Sequence, residues 1–187
     1  MIQNITDDLK IQDIKLDEAQ LNLIENLVMQ HSVEKNFFDG IIKKQTKKGA
    51  YVWGDVGRGK TLIVKSLLKE ISKKTVSYHY IDLMHEIHNQ LKGLPRNKDP
   101  INIIAKNYYS KYKVIFIDEF QVEDVADAMI IGNLLNQLVS NGIELYLTSN
   151  AHPDNLYKDG LQRQKFMQAM NFLKRSINLY ELKGAMD

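Results

Sequence analysis

Hydrophobic residues in this chain follow two different periods, one helical and one strand-like. In residues 16–29, apolar side chains from Leu16 to Leu27 recur at helical spacing, which predicts an amphipathic helix. Residues 114–117 are instead continuously apolar, which is typical of a strand that is covered on both faces of a parallel sheet. The pattern therefore predicts a domain that mixes helices and strands.

The other segments alternate between strand and helix along the chain. Predicted strands lie at residues 50–53, 75–81, 114–117, 143–148 and 176–182, and predicted helices at about 59–71, 83–91, from 100 onward, 124–139 and 163–173. Five strands joined by helical crossovers predict a three-layer α/β fold with a largely parallel sheet, whose ligand lies outside the carboxyl ends of the strands. Since the chain has no internal repeat or linker, we expect a single domain over residues 1–187, with an N-terminal helical segment at 1–48 and the core at 49–187.

Composition narrows the classes of function. The 187 residues are 44% hydrophobic and 26% charged, as in folded globular proteins, and the absence of cysteine excludes disulfide scaffolds, zinc fingers, iron–sulfur centres and thiolate catalysis. A formal net charge of +2 argues against a dedicated nucleic-acid binder. Residues 1–12 have the features of neither a secretory signal nor an organellar presequence, and no apolar run approaches the length of a membrane span. We therefore expect a cytoplasmic protein.

A basic stretch precedes the first predicted strand. It contains Lys43, Lys44, Lys47 and Lys48. Four lysines in a short loop are usually only solvated, although they could also contact anionic lipid or nucleic acid. Peripheral association with a membrane therefore stays open, whereas nucleic acid is not the expected partner.

The strongest chemical signal is a glycine-rich loop between the first strand and the next helix. Residues 54–61 match the pattern G-x-x-x-x-G-K-[ST] in full; they are Gly54, Asp55, Val56, Gly57, Arg58, Gly59, Lys60 and Thr61. In such a loop, backbone N–H groups surround the β-phosphate of a nucleotide, Lys60 neutralises the β- and γ-phosphates, and Thr61 binds Mg²⁺. The alternative is a glycine-rich turn that caps an ordinary helix. Because the motif lies between a predicted strand and a predicted helix, we interpret it as a site for ATP and Mg²⁺.

A second signal follows the buried strand at residues 114–117, which ends in Asp118 and Glu119. A central parallel strand delivers such carboxylates to the ligand edge of the sheet, where Asp118 would hold Mg²⁺ and Glu119 would orient and polarise the attacking water. Alone, an apolar run that ends in two acids is a weak signal. Together with the phosphate loop it predicts a catalytic site for ATP hydrolysis.

Two further residues are candidates for the same site. Asn150 follows the fourth predicted strand and could reach the γ-phosphate, although it could also form an Asx turn ahead of Pro153. Arg163 opens a predicted helix and could act as an arginine finger toward the ATP of a neighbouring subunit, although most arginines at a helix start are solvated. The residues alone leave both alternatives open.

Four segments together resemble the ZapE family, also called AFG-one-like ATPases. They are WGDVGRGKT at 53–61, FIDEFQVEDVADAMIIG at 116–132, LTSN at 147–150 and NLYKDGLQR at 155–163. The likeness extends from about residue 14 to residue 184, and the segment HYIDLMHEIHNQL at 79–91 stands where the family has HFHRFM and a later VH. Its motifs are highly specific, above all DEFQV and LYKDGLQR.

The resemblance implies an AAA+-like P-loop ATPase with strand order 5-1-4-3-2, which forms oligomers that hold ATP between subunits. It makes residues 54–61 the Walker A motif, Asp118 and Glu119 the Walker B motif, Asn150 sensor 1, and Arg163 the arginine of the GLQR motif. It further implies hydrolysis coupled to remodelling of a protein partner. In bacteria the family is linked to cell division through FtsZ, and in mitochondria to inner-membrane respiratory subunits; the missing presequence favours the bacterial role.

The sequence departs from the family pattern at three places. Asp55 stands where a second glycine is usual, and Ile81 replaces the second histidine of the HFH segment. The chain also ends where the family continues, so we expect the lid and any sensor 2 arginine to be absent from these 187 residues. Two other functions therefore stay open: a nucleotide-binding module or truncated remnant with little turnover, and a helicase-loader-type ATPase acting on single-stranded DNA.

Overall fold

The computed structural model describes residues 1–12, 14–36, 47–71, 73–94 and 99–184, with the side chains of residues 32–36 left out. Lys43 and Lys44 lie outside the described residues. The elements, in chain order, are α1 (Ile2–Ile11), α2 (Glu18–Asn36), β1 (Gly49–Trp53), α3 (Lys60–Glu70), β2 (Thr75–His79), α4 (Tyr80–Lys92), α5 (Pro100–Lys111), β3 (Val114–Asp118), α6 (Val125–Ser140), β4 (Glu144–Ser149), a 3₁₀ turn (Pro153–Asn155), α7 (Arg163–Ser176) and β5 (Asn178–Glu181).

The strands form one sheet in the order β2-β3-β4-β1-β5, and every neighbouring pair is parallel. This is the predicted order 5-1-4-3-2, read from the other edge. Trp53 pairs in register with Ser149, and His79 with Asp118. Because these residues end their strands, the carboxyl ends of β1 to β4 meet along one edge of the sheet.

Helices cover both faces of the sheet and create two hydrophobic cores. One core combines α4 to α7 with strand residues such as Tyr51 and Ile117, and the other combines α1 to α3 with alternate strand residues such as Val52 and Phe116. Successive side chains of a strand point to opposite faces, so a continuously apolar strand contributes to both cores. Burial of one such side chain stabilises the fold by about 1.5–3 kcal/mol. The predicted three-layer α/β fold is confirmed.

The predicted strand at residues 75–81 is too long. β2 ends at His79, and α4 begins directly at Tyr80. Tyr80, Leu83, Met84 and Ile87 are buried on one face of α4, at the spacing of a helix. This apolar stripe makes residues 80 and 81 helical despite their high strand propensity, and it leaves Ile81 exposed on the surface.

The N-terminal segment contains a helix that the sequence pattern did not separate from its surroundings. Ile5 and Leu9 of α1 are buried in the core with α3, and the hydroxyl of Ser66 on α3 donates to Asp8 Oδ2 at 2.7 Å. α2 also runs seven residues beyond the predicted end at Met29, to Asn36. Among the described residues, no helix has the length and apolar character needed to cross a membrane.

Candidate functional site

The glycine-rich loop joins β1 to α3 at the carboxyl edge of the sheet. Gly54, Gly57 and Gly59 have φ angles of 148°, 78° and 79°, which disfavour any residue with a side chain. A Cβ atom at Gly54 would lie 2.2 Å from the carbonyl oxygen of Leu182. Glycine is therefore required both for the turn and for the close approach of the chain that follows β5.

Lys60 is buried at the start of α3, and its ammonium group reaches back across the loop. Its Nζ donates to the carbonyl oxygens of Gly54 at 2.7 Å and Asp55 at 2.6 Å, and to Asn150 Oδ1 at 3.0 Å. Burial lowers the pKa of Lys60, while the negative charges of Asp55, Asp118 and Glu119 act in the opposite direction. All three acceptors belong to neutral groups, so phosphate oxygens can take their places without breaking an ion pair.

Asp118 connects three elements at the end of β3. Its Oδ1 atom accepts hydrogen bonds from Thr61 Oγ1 at 2.6 Å and from Thr148 Oγ1 at 2.5 Å, and its Oδ2 atom lies 3.9 Å from Lys65 Nζ. Thr148 is a site residue that the sequence interpretation passed over in favour of Asn150, although both belong to the same polar end of β4. It fixes the Asp118 carboxylate from the strand side.

Glu119 adopts a left-handed backbone with φ 53°. A left-handed conformation is uncommon outside glycine and costs on the order of 1 kcal/mol, and here a hydrogen bond from its N–H to Thr148 Oγ1 at 3.2 Å supports it. The bend points the side chain outward, where Oε2 lies 2.9 Å from His79 Nε2. His79 was not predicted as a site residue. Because the predicted strand ran to residue 81, the sequence pattern carried no signal that His79 ends β2 next to β3.

Asn150 and Arg163 lie in different surroundings. Asn150 accepts a hydrogen bond from Lys60, as described above, and so lies against the glycine-rich loop. Arg163 begins α7, where its Nη2 donates to the carbonyl oxygen of Asp154 at 2.6 Å and its Nε is buried without a hydrogen-bond partner in the described part of the chain. The structure thus joins Asn150 to the loop and joins Arg163 to the 3₁₀ turn. The role of Arg163 stays a prediction.

Two polar residues of the loop point away from its centre. Asp55 is exposed, and a Cβ atom at Gly184 would lie 3.7 Å from its Oδ2, so the carboxylate faces the chain after β5. Arg58 Nη2 donates to the carbonyl oxygen of Lys183 at 3.0 Å and forms a short ion pair with Asp17. The acid at position 55 therefore leaves the inside of the loop free of negative side-chain charge.

The start of α2 holds the outer side of the loop. Gln20 Nε2 donates to the carbonyl oxygen of Arg58 at 3.0 Å, and Asp17 and Gln20 each accept a backbone N–H of the other at 2.9 Å. The hydrogen bond from the Gln20 N–H and the ion pair with Arg58 lower the pKa of Asp17. The sequence interpretation missed both residues, although Asp17 and Gln20 have the spacing of a capping box.

The side chains at this edge fit a nucleotide with Mg²⁺. Thr61 and Asp118 present hydroxyl and carboxylate oxygens, the ligands that Mg²⁺ prefers, and Mg²⁺ takes its other ligands from phosphate and water. No group of three or more His, Asp or Glu side chains in the described residues could hold a metal by itself. The donor set therefore suits a metal that arrives with a phosphate, rather than a resident ion.

Solved structures with a similar fold include those of DnaI, the DnaC helicase loader and DnaA. Crystal structures of DnaI and of the DnaC helicase loader each superpose with TM-score 0.61, at 17% and 15% identity; they match 92% and 91% of this chain and 87% and 94% of theirs. AMPPCP-bound DnaA from Aquifex aeolicus gives TM-score 0.60 at 16% identity, over 91% of this chain and 48% of its own. These likenesses show the P-loop NTPase fold.

Sequence comparisons point to a narrower group. Cell division protein ZapE of Escherichia coli K12 is 36% identical over 141 residues, which is 75% of this chain and 38% of that protein. Lactation elevated protein 1 homolog B of Danio rerio is 34% identical over 157 residues, which is 78% of this chain and 31% of that protein. The chain thus spans roughly a third of the length of these relatives. A sequence profile described as AFG1-like ATPase matches residues 3–187, and the chain therefore belongs to the AFG1-like ATPase family.

Proposed function

We propose that this chain binds ATP with Mg²⁺ at the carboxyl edge of the sheet and hydrolyses it to ADP and phosphate. The observation that carries the proposal is the shared oxygen of Asp118, on which the hydroxyls of Thr61 and Thr148 converge at 2.6 and 2.5 Å. This contact places the first turn of α3 against the carboxylate of β3. The glycine-rich loop, the start of α3 and the Asp118 carboxylate are the parts that phosphoryl transfer requires.

Binding would exchange internal contacts for contacts with phosphate. Lys60 would give up the carbonyl and amide oxygens that it now contacts and donate to the β- and γ-phosphates, while backbone N–H groups of the loop and the start of α3 surround the β-phosphate. Thr61 and Asp118 would hold Mg²⁺, which neutralises charge on the phosphates when bound. Since Lys60 loses only neutral partners, the exchange is electrostatically favourable.

Hydrolysis would use Glu119 as the base that positions water. As the water oxygen bonds to the γ-phosphorus, the bond from that phosphorus to the β–γ bridging oxygen breaks, and its electron pair stays on ADP. The proton lost by the water passes to Glu119, and the amide of Asn150 can hydrogen-bond the γ-phosphate. Because His79 contacts Glu119 Oε2 at 2.9 Å, this contact must loosen before the same oxygen can serve the water.

A Glu119→Gln variant tests the assignment of the base. Turnover should fall by about 10²–10⁴-fold, since glutamine cannot accept the proton, while ATP affinity stays within about threefold. Glu25→Gln on the exposed side of α2 makes the same chemical change away from the site and should turn over like the unaltered chain. Unchanged hydrolysis in the Glu119 variant, measured as phosphate release, would remove Glu119 from this role.

We also propose that sites are completed between subunits, with Arg163 acting toward the ATP of a neighbour. The match of residues 160–163 to the family's GLQR motif supports this proposal. Hydrolysis per protomer should then rise steeply with protein concentration, and Arg163→Ala should abolish the rise. A background rate at every concentration would instead favour a nucleotide-binding module with little turnover.

The wider role that we propose is ATP-dependent remodelling of a protein partner in cell division. Its support is the 36% identity to a protein named cell division protein ZapE, together with the family resemblance, which implies FtsZ as a partner in bacteria. Co-sedimentation with FtsZ polymers, with ATP and without nucleotide, tests it. Equal recovery of the chain with and without polymers would contradict the FtsZ assignment.

A further inference from the structure

An acidic groove of about 290 Å³ lies beside Glu119, between the end of β2 and the start of α6. Its carboxylates are those of Glu119, Glu123, Asp124 and Asp127, of which the first three belong to exposed residues. Only Glu119 has a part in the proposed hydrolysis. The other three carboxylates therefore call for a different explanation.

The acidic side chains of this groove have partners without permanent positive charge. Asp127 Oδ1 lies 2.7 Å from His88 Nε2, Glu123 accepts a short hydrogen bond from the amide of Gln121, and Asp124 caps α6 by accepting backbone N–H groups. In the part of the chain that the structure describes, no lysine or arginine forms an ion pair with any of the groove's carboxylates. The groove is thus a negative surface that no lysine or arginine of the described ranges neutralises by an ion pair.

The wall of the groove contains a buried hydroxyl without a hydrogen bond. Tyr80 is only 6% exposed, its ring packs edge-on against Phe120 at 5.4 Å, and its Oη has no partner among the described residues. Tyr80 lines the groove together with Glu123, Asp124 and Asp127, and burial and the charges of those carboxylates both raise the pKa of its hydroxyl. Buried polar atoms are nearly always satisfied, so this hydroxyl indicates a missing partner.

The geometry favours an organic cation over a metal ion. No cluster in the described residues brings together the three acidic or histidine side chains that a metal would need. A guanidinium group spreads its charge over a plane with several N–H donors, and so it can contact separated carboxylates and a hydroxyl oxygen at the same time. Ile81, which is 56% exposed beside the groove, offers apolar surface to the methylene groups of an arginine side chain.

We propose that this groove binds an arginine side chain of a protein partner. The guanidinium donates to Glu123 and Asp127 and to the hydroxyl oxygen of Tyr80, and the arginine stem packs on Ile81. The occupant then lies next to Glu119 and His79, so that binding of the partner and the position of the hydrolytic glutamate affect each other. The binding itself requires neither ATP nor turnover, and it goes beyond the proposed ATPase activity.

A labelled pentapeptide, acetyl-Gly-Arg-Gly-Arg-Gly-amide, is the probe that tests the proposal, with fluorescence anisotropy as the measurement. The matched control replaces both arginines by citrulline, which keeps the shape and removes the charge. The arginine peptide should bind at least about 10-fold more tightly than the citrulline peptide. Its binding should weaken as the salt concentration is raised. Equal binding of the two peptides would overturn the proposal.

Substitutions in the groove locate the binding. Glu123→Gln should lower the affinity for the arginine peptide by about 5–10-fold. Tyr80→Phe, which keeps the ring and removes the hydroxyl, should lower it by about 3–5-fold. Glu25→Gln, an equal change in net charge on α2, should bind the peptide as the unaltered chain does. Both groove variants should retain ATP affinity, so failure of this inference is distinguishable from failure of the proposed function.

If both groove variants bind the peptide as tightly as the unaltered chain does, and their thermal unfolding remains normal, the peptide does not bind in this groove. Sedimentation tests another occupant. If the unaltered chain associates with itself and both groove variants dissociate it, the groove is filled by a second copy of the chain, and the assignment to a separate partner is wrong.

Discussion

Buried carboxylates lie at both edges of the sheet, and their partners differ. Glu144 is the first residue of β4 and Asp118 is the last residue of β3, so they mark the amino and carboxyl edges. Both are buried. Each buried carboxylate needs hydrogen-bond partners or positive charge, because burial alone disfavours the ionised form.

At the amino edge, the chain supplies the charge that neutralises Glu144. Lys73 Nζ lies 2.6 Å from Oε2, while Tyr146 Oη and His31 Nδ1 lie 2.6 and 3.3 Å from Oε1. Burial by itself raises the pKa of Glu144, but the hydrogen bonds from Lys73 and Tyr146 and the charges of Lys73 and His31 outweigh it, so the pKa is lowered. The cluster also ties α2 to the sheet.

At the carboxyl edge, the short hydrogen bonds of Asp118 and Lys60 are to neutral groups, and the charge nearest to Asp118 is the half-exposed Lys65 ammonium, 3.9 Å from Oδ2. Asp118 accepts from two hydroxyls, and Lys60 donates to carbonyl and amide oxygens. The comparison shows that buried charges have two different roles in this fold. The Glu144 cluster stabilises the chain, whereas the Asp118 and Lys60 groups keep their charge available to a ligand.

Among the residues of this comparison, the largest expected effect is that of Asp118→Asn on turnover. The amide can still accept from Thr61 and Thr148, so the fold should persist, but the loss of negative charge removes a ligand of Mg²⁺. Since metal-ion catalysis contributes several kcal/mol, turnover should fall by roughly 10²–10³-fold. Phosphate release at saturating Mg-ATP measures it. A variant that unfolds, instead of losing activity, would break the comparison.

Lys60→Met should weaken ATP binding by at least about 100-fold, because charge-assisted hydrogen bonds to phosphate are lost. The melting temperature should stay the same or rise, because burial of an ammonium with a lowered pKa costs free energy that methionine does not. Calorimetric titration and thermal unfolding measure the two effects. Strong destabilisation would mean that Lys60 is structural, like Glu144.

Glu144→Gln should have the opposite effects, a loss of stability with little change in ATP affinity. It leaves Lys73 without its carboxylate and should lower the free energy of unfolding by about 2–3 kcal/mol, while ATP affinity stays within about twofold. Urea unfolding at neutral pH measures the loss. As a control, Glu25→Gln removes an equal charge from the surface of α2 and should change the stability by less than about 0.5 kcal/mol.

The pH dependence of stability follows from the same cluster. Because the folded pKa of Glu144 lies below the ordinary value of 4.5, its contribution to stability is complete above that pH and is lost as the pH falls through the folded pKa. Urea unfolding from pH 7 down to about pH 3 should show a decline that is smaller in Glu144→Gln. Parallel declines in the two proteins would contradict this account of the cluster.

The smallest effect is expected for Asp17→Asn, which removes the ion pair with Arg58 and keeps the N-cap of α2. The pair is partly exposed, so the free energy of unfolding should fall by about 0.5 kcal/mol or less. ATP affinity should change by no more than about twofold, because Gln20 still holds the loop. A tenfold loss of affinity would show that the loop depends on this pair.

The contiguous parts of the fold and site could be predicted from the sequence. The loop at residues 54–61 and the pair Asp118 and Glu119 could be identified because each is a motif of adjacent residues, a glycine-rich turn in one case and the end of a buried strand in the other. The strand order 5-1-4-3-2 came from the family resemblance, and the structure confirms it.

Contacts that depend on three-dimensional proximity could not be predicted in the same way. Thr148 and His79 become site residues only because β4 and β2 both lie beside β3, and the sequence pattern does not record which side chain reaches Asp118 or Glu119. The end of β2 was misplaced because Tyr80 and Ile81 have strand propensity, and packing of α4 overrides it. Propensity is local, whereas burial is decided by the whole fold.

The most direct test of the central claim is the stabilisation by a non-hydrolysable ATP analogue with Mg²⁺, measured by urea unfolding in three proteins. At a ligand concentration of about 100 Kd, the unaltered chain should gain about 2.7 kcal/mol. Glu144→Gln should begin less stable and gain about the same amount. Lys60→Met should begin at least as stable as the unaltered chain and gain no more than about 0.4 kcal/mol, since a 100-fold weaker affinity leaves the ligand near one Kd. Equal gains in all three proteins, or no gain in a folded Glu144→Gln, would contradict the claim that the Glu144 cluster stabilises the fold while Lys60 binds the ligand.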